Sequence, residues 1–291
     1  MAITSQMVKD LREKTGAGMM DCKKALEETG GKMEDAVDWL RKKGIATAAK
    51  KSSRVASQGK VVALGAGGWG VVVEVNTETD FAAKNEKFVA FADDVSKLAL
   101  EKQPQDLAAL NALAYPGTGR SVEEELKQLI ATVGENMALR RYDVLSVQGV
   151  VAPYIHMGGK IGVIVALESD GPAEGLMELG KKVAMHVAAS SPLFLDRGSV
   201  ALEALERERA VLVDQARASG KPDNIIDKMV QGRIGKYYGE VCLVDQPFVM
   251  DPNLTVEQAV NAGAKELGTK AKVAGFVRFM LGEGVVAKEE E

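Results

Sequence analysis

One pattern recurs in this chain, and it limits the fold more than any other feature. Lys60-Val61-Val62-Ala63-Leu64 leads into Gly65-Ala66-Gly67-Gly68-Trp69-Gly70, and Val71-Val72-Val73-Glu74-Val75 follows. Further on, Gly149-Val150-Val151 to Ile155 leads into His156-Met157-Gly158-Gly159-Lys160, and Ile161 to Leu167 follows. Each is a pair of β-branched runs around a glycine turn, the signature of a β-hairpin. Each is then followed by a helical stripe of the same spacing. Phe88, Phe91, Val95 and Leu98 follow the first, and Leu176, Leu179, Val183 and His186 follow the second. Two hairpin-plus-helix units predict two related α+β subdomains that share a core. Between them, Ser121-x-x-Glu124 reads as a capping box, opening a helix with Leu126, Leu129, Ile130 and Val133 inward.

The glycine run also spells G-x-G-x-x-G. A dinucleotide site requires that run to open a helix, so that the phosphate meets the helix N-terminus. Here valines continue at once, and the run opens a strand. A kinase loop is strand–loop–strand, but no V-A-I-K lysine follows, Asp80-Phe81 continues with Ala82 rather than Gly, and neither histidine sits in H-R-D. The glycines therefore read as a turn, and no cofactor site is expected.

The flanking segments have other textures. Residues 1–44 read as three short helices. Met7, Val8 and Leu11 mark the first, and Gly16 stops it. Cys22, Ala25 and Leu26 mark the second, closed by Gly30-Gly31. Met33, Ala36, Val37 and Leu40 mark the third, closed by Gly44. Met19 and Met20 fall in the turn between the first two, as core filler or as an adaptable binding surface. Lys42, Lys43, Lys50, Lys51 and Arg54 form a basic connector, which Ser57-Gln58-Gly59 ends. No aromatics interleave for base stacking, so it reads as a solvated linker helix rather than a nucleic-acid patch. Ser199 to Ser219 is a charged helix with Leu202, Leu205 and Leu212 as a thin seam, and Gly220-Lys221-Pro222 breaks it. Ile225, Ile226, Met229, Val230, Ile234 and Tyr237 make a second arm, which predicts a protruding antiparallel hairpin. The chain then returns through Glu240-Val241-Cys242-Leu243 as a strand, and Gln246 to Asp251 as a turn with exposed apolar residues. Thr255-x-x-Gln258 caps a further helix, and Val273 to Met280 makes a last strand.

The expected organisation is a three-helix domain and basic linker (1–54), a first core subdomain (55–140), a second (141–190 and 238–284), the helical-hairpin insert (191–237) and an acidic tail (285–291). With 27% charged residues and a net charge of −4, the whole chain lacks the basic balance of a nucleic-acid binder. No apolar run reaches the roughly 18–20 residues of a membrane helix, and no secretory signal is visible at the N-terminus. Cys22 and Cys242 form no CxxC, which fits a reducing, cytoplasmic setting without a metal site. Only His156 and His186 offer imidazole chemistry. His186 lies on an apolar stripe and reads as a core residue, whereas His156 lies in a turn open to contact.

Thr79-Asp80-Phe81-Ala82-Ala83-Lys84-Asn85 sits at the exit of the strand Val71 to Val75, where a rigid scaffold can present a loop. The second unit has Ser169-Asp170-Gly171 instead, the asymmetry of a functional duplication. Asp80 suits an N-cap. Phe81 is either a staple-like contact under its own helix or an anchor for a partner.

Several of these segments together resemble bacterial elongation factor Ts. They are Thr15-Gly16-Ala17-Gly18-Met19-Met20-Asp21-Cys22-Lys23-Lys24-Ala25-Leu26, the Thr79 to Asn85 loop, Gly134-Glu135-Asn136, Ala184-Met185-His186-Val187-Ala188-Ala189 and Gln246-Pro247-Phe248-Val249-Met250. The resemblance runs in order along nearly the whole chain. It implies a small UBA-like N-terminal domain, a duplicated α+β core and a helical-hairpin insert. It also implies guanine nucleotide exchange on elongation factor Tu in translation elongation, with no bond chemistry, cofactor, nucleic acid or membrane of its own. By resemblance, Thr79, Asp80, Phe81 and Ala82 form the exchange loop, which reaches the partner's GTPase domain and disturbs its magnesium and phosphate contacts. Met19, Met20 and Lys23, Val133 and Gly134, His156, and Val249 and Met250 match further partner contacts. The insert matches a region for a homodimer or a two-plus-two complex. Two departures stand out. Ala82 replaces a usual larger aliphatic, and only Val285 to Glu291 follow Gly282-Glu283-Gly284, where long members carry another helix.

Overall fold

The computed structural model describes residues 2–218 and 222–285. Three helices open the chain: α1 (Ser5–Thr15), α2 (Met19–Glu28) and α3 (Met33–Lys51). Their apolar stripes meet in a small cluster of Val8, Leu11, Cys22, Ala25, Leu26, Ala36 and Leu40. Thr4 caps α1 through its hydroxyl, and Gly16 ends it at φ 69°.

The core follows as β1 (Gln58–Ala66), β2 (Trp69–Thr77), α4 (Asp80–Ala83), α5 (Glu86–Lys102), α6 (Leu107–Ala112), α7 (Val122–Val133) and β3 (Met137–Ser146). The second unit comprises β4 (Gly149–His156), β5 (Ile161–Glu168) and α8 (Ala173–Ser190). Then come α9 (Leu202–Arg217), α10 (Asp223–Val241), β6 (Pro247–Phe248), β7 (Asp251–Thr255), α11 (Val256–Glu266) and β8 (Lys272–Met280). Two antiparallel sheets result, in the orders β1-β2-β3 and β4-β5-β8, and β6 pairs with β7 separately. The fold is α+β, with each expected hairpin and its following helix in place.

Strand alternation explains the layers. Val71, Val73 and Val75 of β2 face Phe88, Phe91 and Val95 of α5 and Leu126, Leu129 and Ile130 of α7. Val72 points the other way, into a cluster shared with Val61, Val151, Ile164, Ala166 and Phe279. The two sheets thus pack face to face, with α8 and α11 covering the outer face of the second. A Cβ on Gly162 would lie 2.5 Å from Val61 Cγ1, so the sheets approach this closely only over glycine. Alternation also places Glu74 between the sheets, fully buried. Its carboxylate accepts from Arg140 Nη1 (2.9 Å), Arg141 Nε (2.6 Å) and the Gly282 N–H (2.9 Å). Burial alone would push this carboxyl upward; the Gly282 and arginine donors outweigh it and hold it below the ordinary range.

Several expectations are corrected. Gly44 does not close the third helix. It lies inside α3, buried against Gln128 and Ala131 of α7, so the connector's lysines belong to the C-terminal part of one helix and only Arg54 lies beyond its end. Met19 and Met20 begin α2 rather than filling a turn. The boundary at residue 140 cuts β3, which pairs with β2 from Met137 to Ser146. Glu240 to Leu243 is not a strand: α10 continues to Val241, a 3-10 turn takes 243–245, and Cys242 makes only one bridge, to Phe194. The insert's second arm therefore passes residue 237. The hairpin seam keeps the expected Leu212, Ile226 and Val230 and adds Ala216, whereas Leu202 is 68% exposed and stands outside it. The breaker at Gly220-Lys221 and the tail beyond Val285 lie outside the described residues.

Candidate functional site

The loop after β2 is built from local hydrogen bonds. Thr79, in extended conformation, is the N-cap of α4, and its Oγ1 accepts from the Ala82 N–H at 3.2 Å. The cap is therefore Thr79 and not Asp80. Asn85 Oδ1 then caps α5 by accepting from the Lys87 N–H at 3.0 Å. Ala82 is the buried foot of this single turn, packed into the first core cluster. Asp80 pairs with Lys84 at 2.8 Å, and the hydrogen bond from Lys84 holds its carboxyl below the ordinary range. Phe81 is 82% exposed, the most exposed large apolar residue described. The staple-like contact is thereby excluded.

A second set of residues braces the loop from behind. Gly134 ends α7 at φ 88°, and its carbonyl accepts from Lys51 Nζ at the end of α3. Glu135 Oε1 accepts from Thr79 Oγ1 (2.7 Å), and its Oε2 accepts from the Thr79 N–H and Thr77 Oγ1 (both 3.0 Å). Asn136 donates its backbone N–H to Glu78 Oε1 and its side-chain amide to the Arg54 carbonyl, at 2.5 and 2.7 Å. Thr79 to Ala82 and Val133-Gly134 thus meet through residues that the sequence reading had left without a role. The signal available was a carboxylate directly after a helix-ending glycine.

The other named residues occupy separate surfaces. Met19 and Met20 are 59% and 72% exposed. With Ser5, Val8, Lys9, Arg12 and Lys23 they line a groove of about 430 Å³ that mixes apolar and basic side chains. His156, at the end of β4, is exposed, with Nδ1 3.0 Å from the Tyr154 hydroxyl. The turn that follows it leans on β1 through the Val61 N–H and the Gly159 carbonyl (2.7 Å). Val249 and Met250 form the exposed tip between β6 and β7. Behind that tip His186 is fully buried, with Nε2 donating to Gln246 Oε1 (2.8 Å) and Nδ1 accepting from the Val249 N–H (3.1 Å). Burial pushes its pKa below the ordinary value, against a smaller upward pull from Gln246. It is a core histidine with both nitrogens satisfied.

Among the described residues no group of three or more His, Cys, Asp or Glu side chains could hold a metal ion. No described helix is long and apolar enough to cross a membrane.

A braced loop carrying a bare aromatic, on a rigid α+β scaffold with further exposed apolar tips, defines a protein whose surface is made for contact with another macromolecule. A family model described as "Elongation factor TS" matches residues 78–283. The elongation factor Ts of Magnetococcus marinus is 63% identical, over 100% of this chain and 96% of that protein. Those of Paramagnetospirillum magneticum and Rhodospirillum centenum are 56% and 55% identical, each over 97% of this chain and 92% and 94% of theirs. The chain belongs to the elongation factor Ts family.

Proposed function

We propose that this chain is a cytoplasmic guanine nucleotide exchange factor for elongation factor Tu, with no bond chemistry of its own. The observation that carries the reading is Phe81, held almost wholly in solvent on a loop whose two ends are fixed. An exchange factor binds the nucleotide-free GTPase best, and by linkage it weakens that GTPase's hold on nucleotide. Phosphates and Mg²⁺ are held by charged groups and backbone N–H groups in one preorganised loop. Phe81 wedges against that region of the partner and Asp80 supplies a carboxylate beside it, so that several charge-assisted bonds are lost together. Met19, Met20 and Lys23 dock through the N-terminal groove, and Val133-Gly134, His156 and Val249-Met250 hold the remaining faces. The α9–α10 hairpin mediates self-association and leaves the exchange surface to the core.

Release of labelled GDP from purified elongation factor Tu tests this. Substoichiometric amounts of the chain are expected to accelerate release in proportion to its concentration. Tight binding to the GTPase with no acceleration would establish an adaptor instead.

A further inference from the structure

The exchange loop is anchored at two points, and one of them is a carboxylate outside it. Ala82 is anchored by burial. Thr79 is anchored by Glu135, which takes both its hydroxyl and its backbone N–H. A threonine hydroxyl has one proton and two lone pairs. Glu135 is ionised and can only accept, so that proton goes to Oε1, and a lone pair of Thr79 Oγ1 is left facing the Ala82 N–H. The cap that shapes α4 therefore depends on the orientation that Glu135 imposes on this rotor. Among the described residues no Lys, Arg or His comes within ion-pair distance of Glu135. Its donors are the Thr79 hydroxyl and N–H, the Thr77 hydroxyl and the Glu78 N–H, and these outweigh the upward push of burial to keep its carboxyl below the ordinary range. Such charge-assisted bonds are stronger than neutral ones and directional.

We infer that Glu135 is a positioning residue for nucleotide exchange: it sets the Thr79 cap and thereby fixes the direction in which Phe81 projects, without itself touching the partner. This rests on the exchange reading above. The inference differs from a general stabilising role because it couples Glu135 to Phe81 specifically.

The test is a double-mutant cycle on the full chain with Glu135→Gln, Phe81→Ala and the pair. Two readouts are needed: stimulated GDP release, and hydrogen-exchange protection of the Ala82 amide in the free chain. Glu135→Gln turns one acceptor oxygen into an amide donor, facing either the Thr79 hydroxyl or the Thr79 N–H and Thr77 hydroxyl, so at least one of the three bonds is lost. It is expected to lower stimulated release about tenfold, the scale of one lost hydrogen bond to a charged acceptor, and to reduce Ala82 protection. In the Phe81→Ala background the same change should cost less than about twofold, since no ring remains to be aimed. Glu135→Asp keeps the charge on a shorter arm and serves if the Gln variant melts far below the parent. Multiplying losses in the pair would make Glu135 a direct partner contact and overturn the inference, as would parental Ala82 protection in both variants. If Phe81→Ala exchanges at the parental rate, the exchange reading fails separately, and Ala82 protection alone decides whether Glu135 holds the loop.

Discussion

Phe81 has almost no packing to lose when it is cut to alanine, because its ring lies in solvent. Phe81→Ala is therefore expected to melt close to the parent temperature. An aromatic anchor in an interface costs about 2–4 kcal/mol on truncation. At about 1.4 kcal/mol per decade, that is a loss of roughly one and a half to three orders of magnitude in stimulated GDP release. Asp80→Ala should lose less, since Asp80 already pairs with Lys84 in water. A strongly lowered melting temperature with full exchange per folded molecule would place the ring in the core after all. The sequence showed this loop and its neighbours but left the ring's direction open. The reason is one residue of register. With Asp80 as cap, Phe81 would be the first helical residue; with Thr79 as cap, it is the second. That shift turns a side chain by about 100° around the helix, and only the observed register fixes which way the ring projects.

Elements were most legible where periodicity and caps agreed. The boxes at Ser121 and Thr255 form as the sequence implied, with both reciprocal hydrogen bonds present. Gly44 and the Val241-Cys242 run misled for opposite reasons. A glycine in a helix can mark a stop or a close neighbour, and only the position of α7 decides. A short apolar run can be strand or helix, and here α10 ends inside it, at Val241. His186 shows how elements are joined: it projects from α8 and accepts the Val249 N–H of the β6–β7 tip. Its protonation would set a ring N–H against that backbone N–H. Because its folded pKa is depressed, the unfolded chain binds the proton first as pH falls below the ordinary histidine value of about 6.5. Its contribution to stability is thus complete above that pH and declines toward the folded pKa. Melting temperatures measured from pH 7 to 5 should fall less steeply in His186→Gln than in the parent. Equal slopes in parent and His186→Gln would remove this role.

For the whole molecule, the duplication was the most informative reading. It anticipated both hairpin-plus-helix units, but not that the two sheets lie face to face, because alternation in a strand buried on both sides reads as a continuous apolar run. The insert has its own small cluster between α9 and α10. Its base is held by Arg197 on Asp245 (2.6 Å) and by the Phe194–Cys242 bridge. Replacing residues 205–236 with a short flexible linker is expected to leave a cooperative melt near the parent temperature, and sedimentation should report a changed self-association state. Unfolding of that variant would make the hairpin part of the core. Continuous α3 has a further consequence. Its 19 residues span about 28 Å, and it is fastened to α7 by Arg41–Glu124 and to Gly134 by Lys51. These contacts join the methionine groove and the Phe81 loop through one helix, at a set separation in this structure. If both surfaces dock as proposed above, the molecule acts as a gauge. A GTPase whose two docking patches match that separation gains the high effective concentration of a second contact once the first has formed. One whose patches have moved apart with a change of bound nucleotide engages a single site and is released.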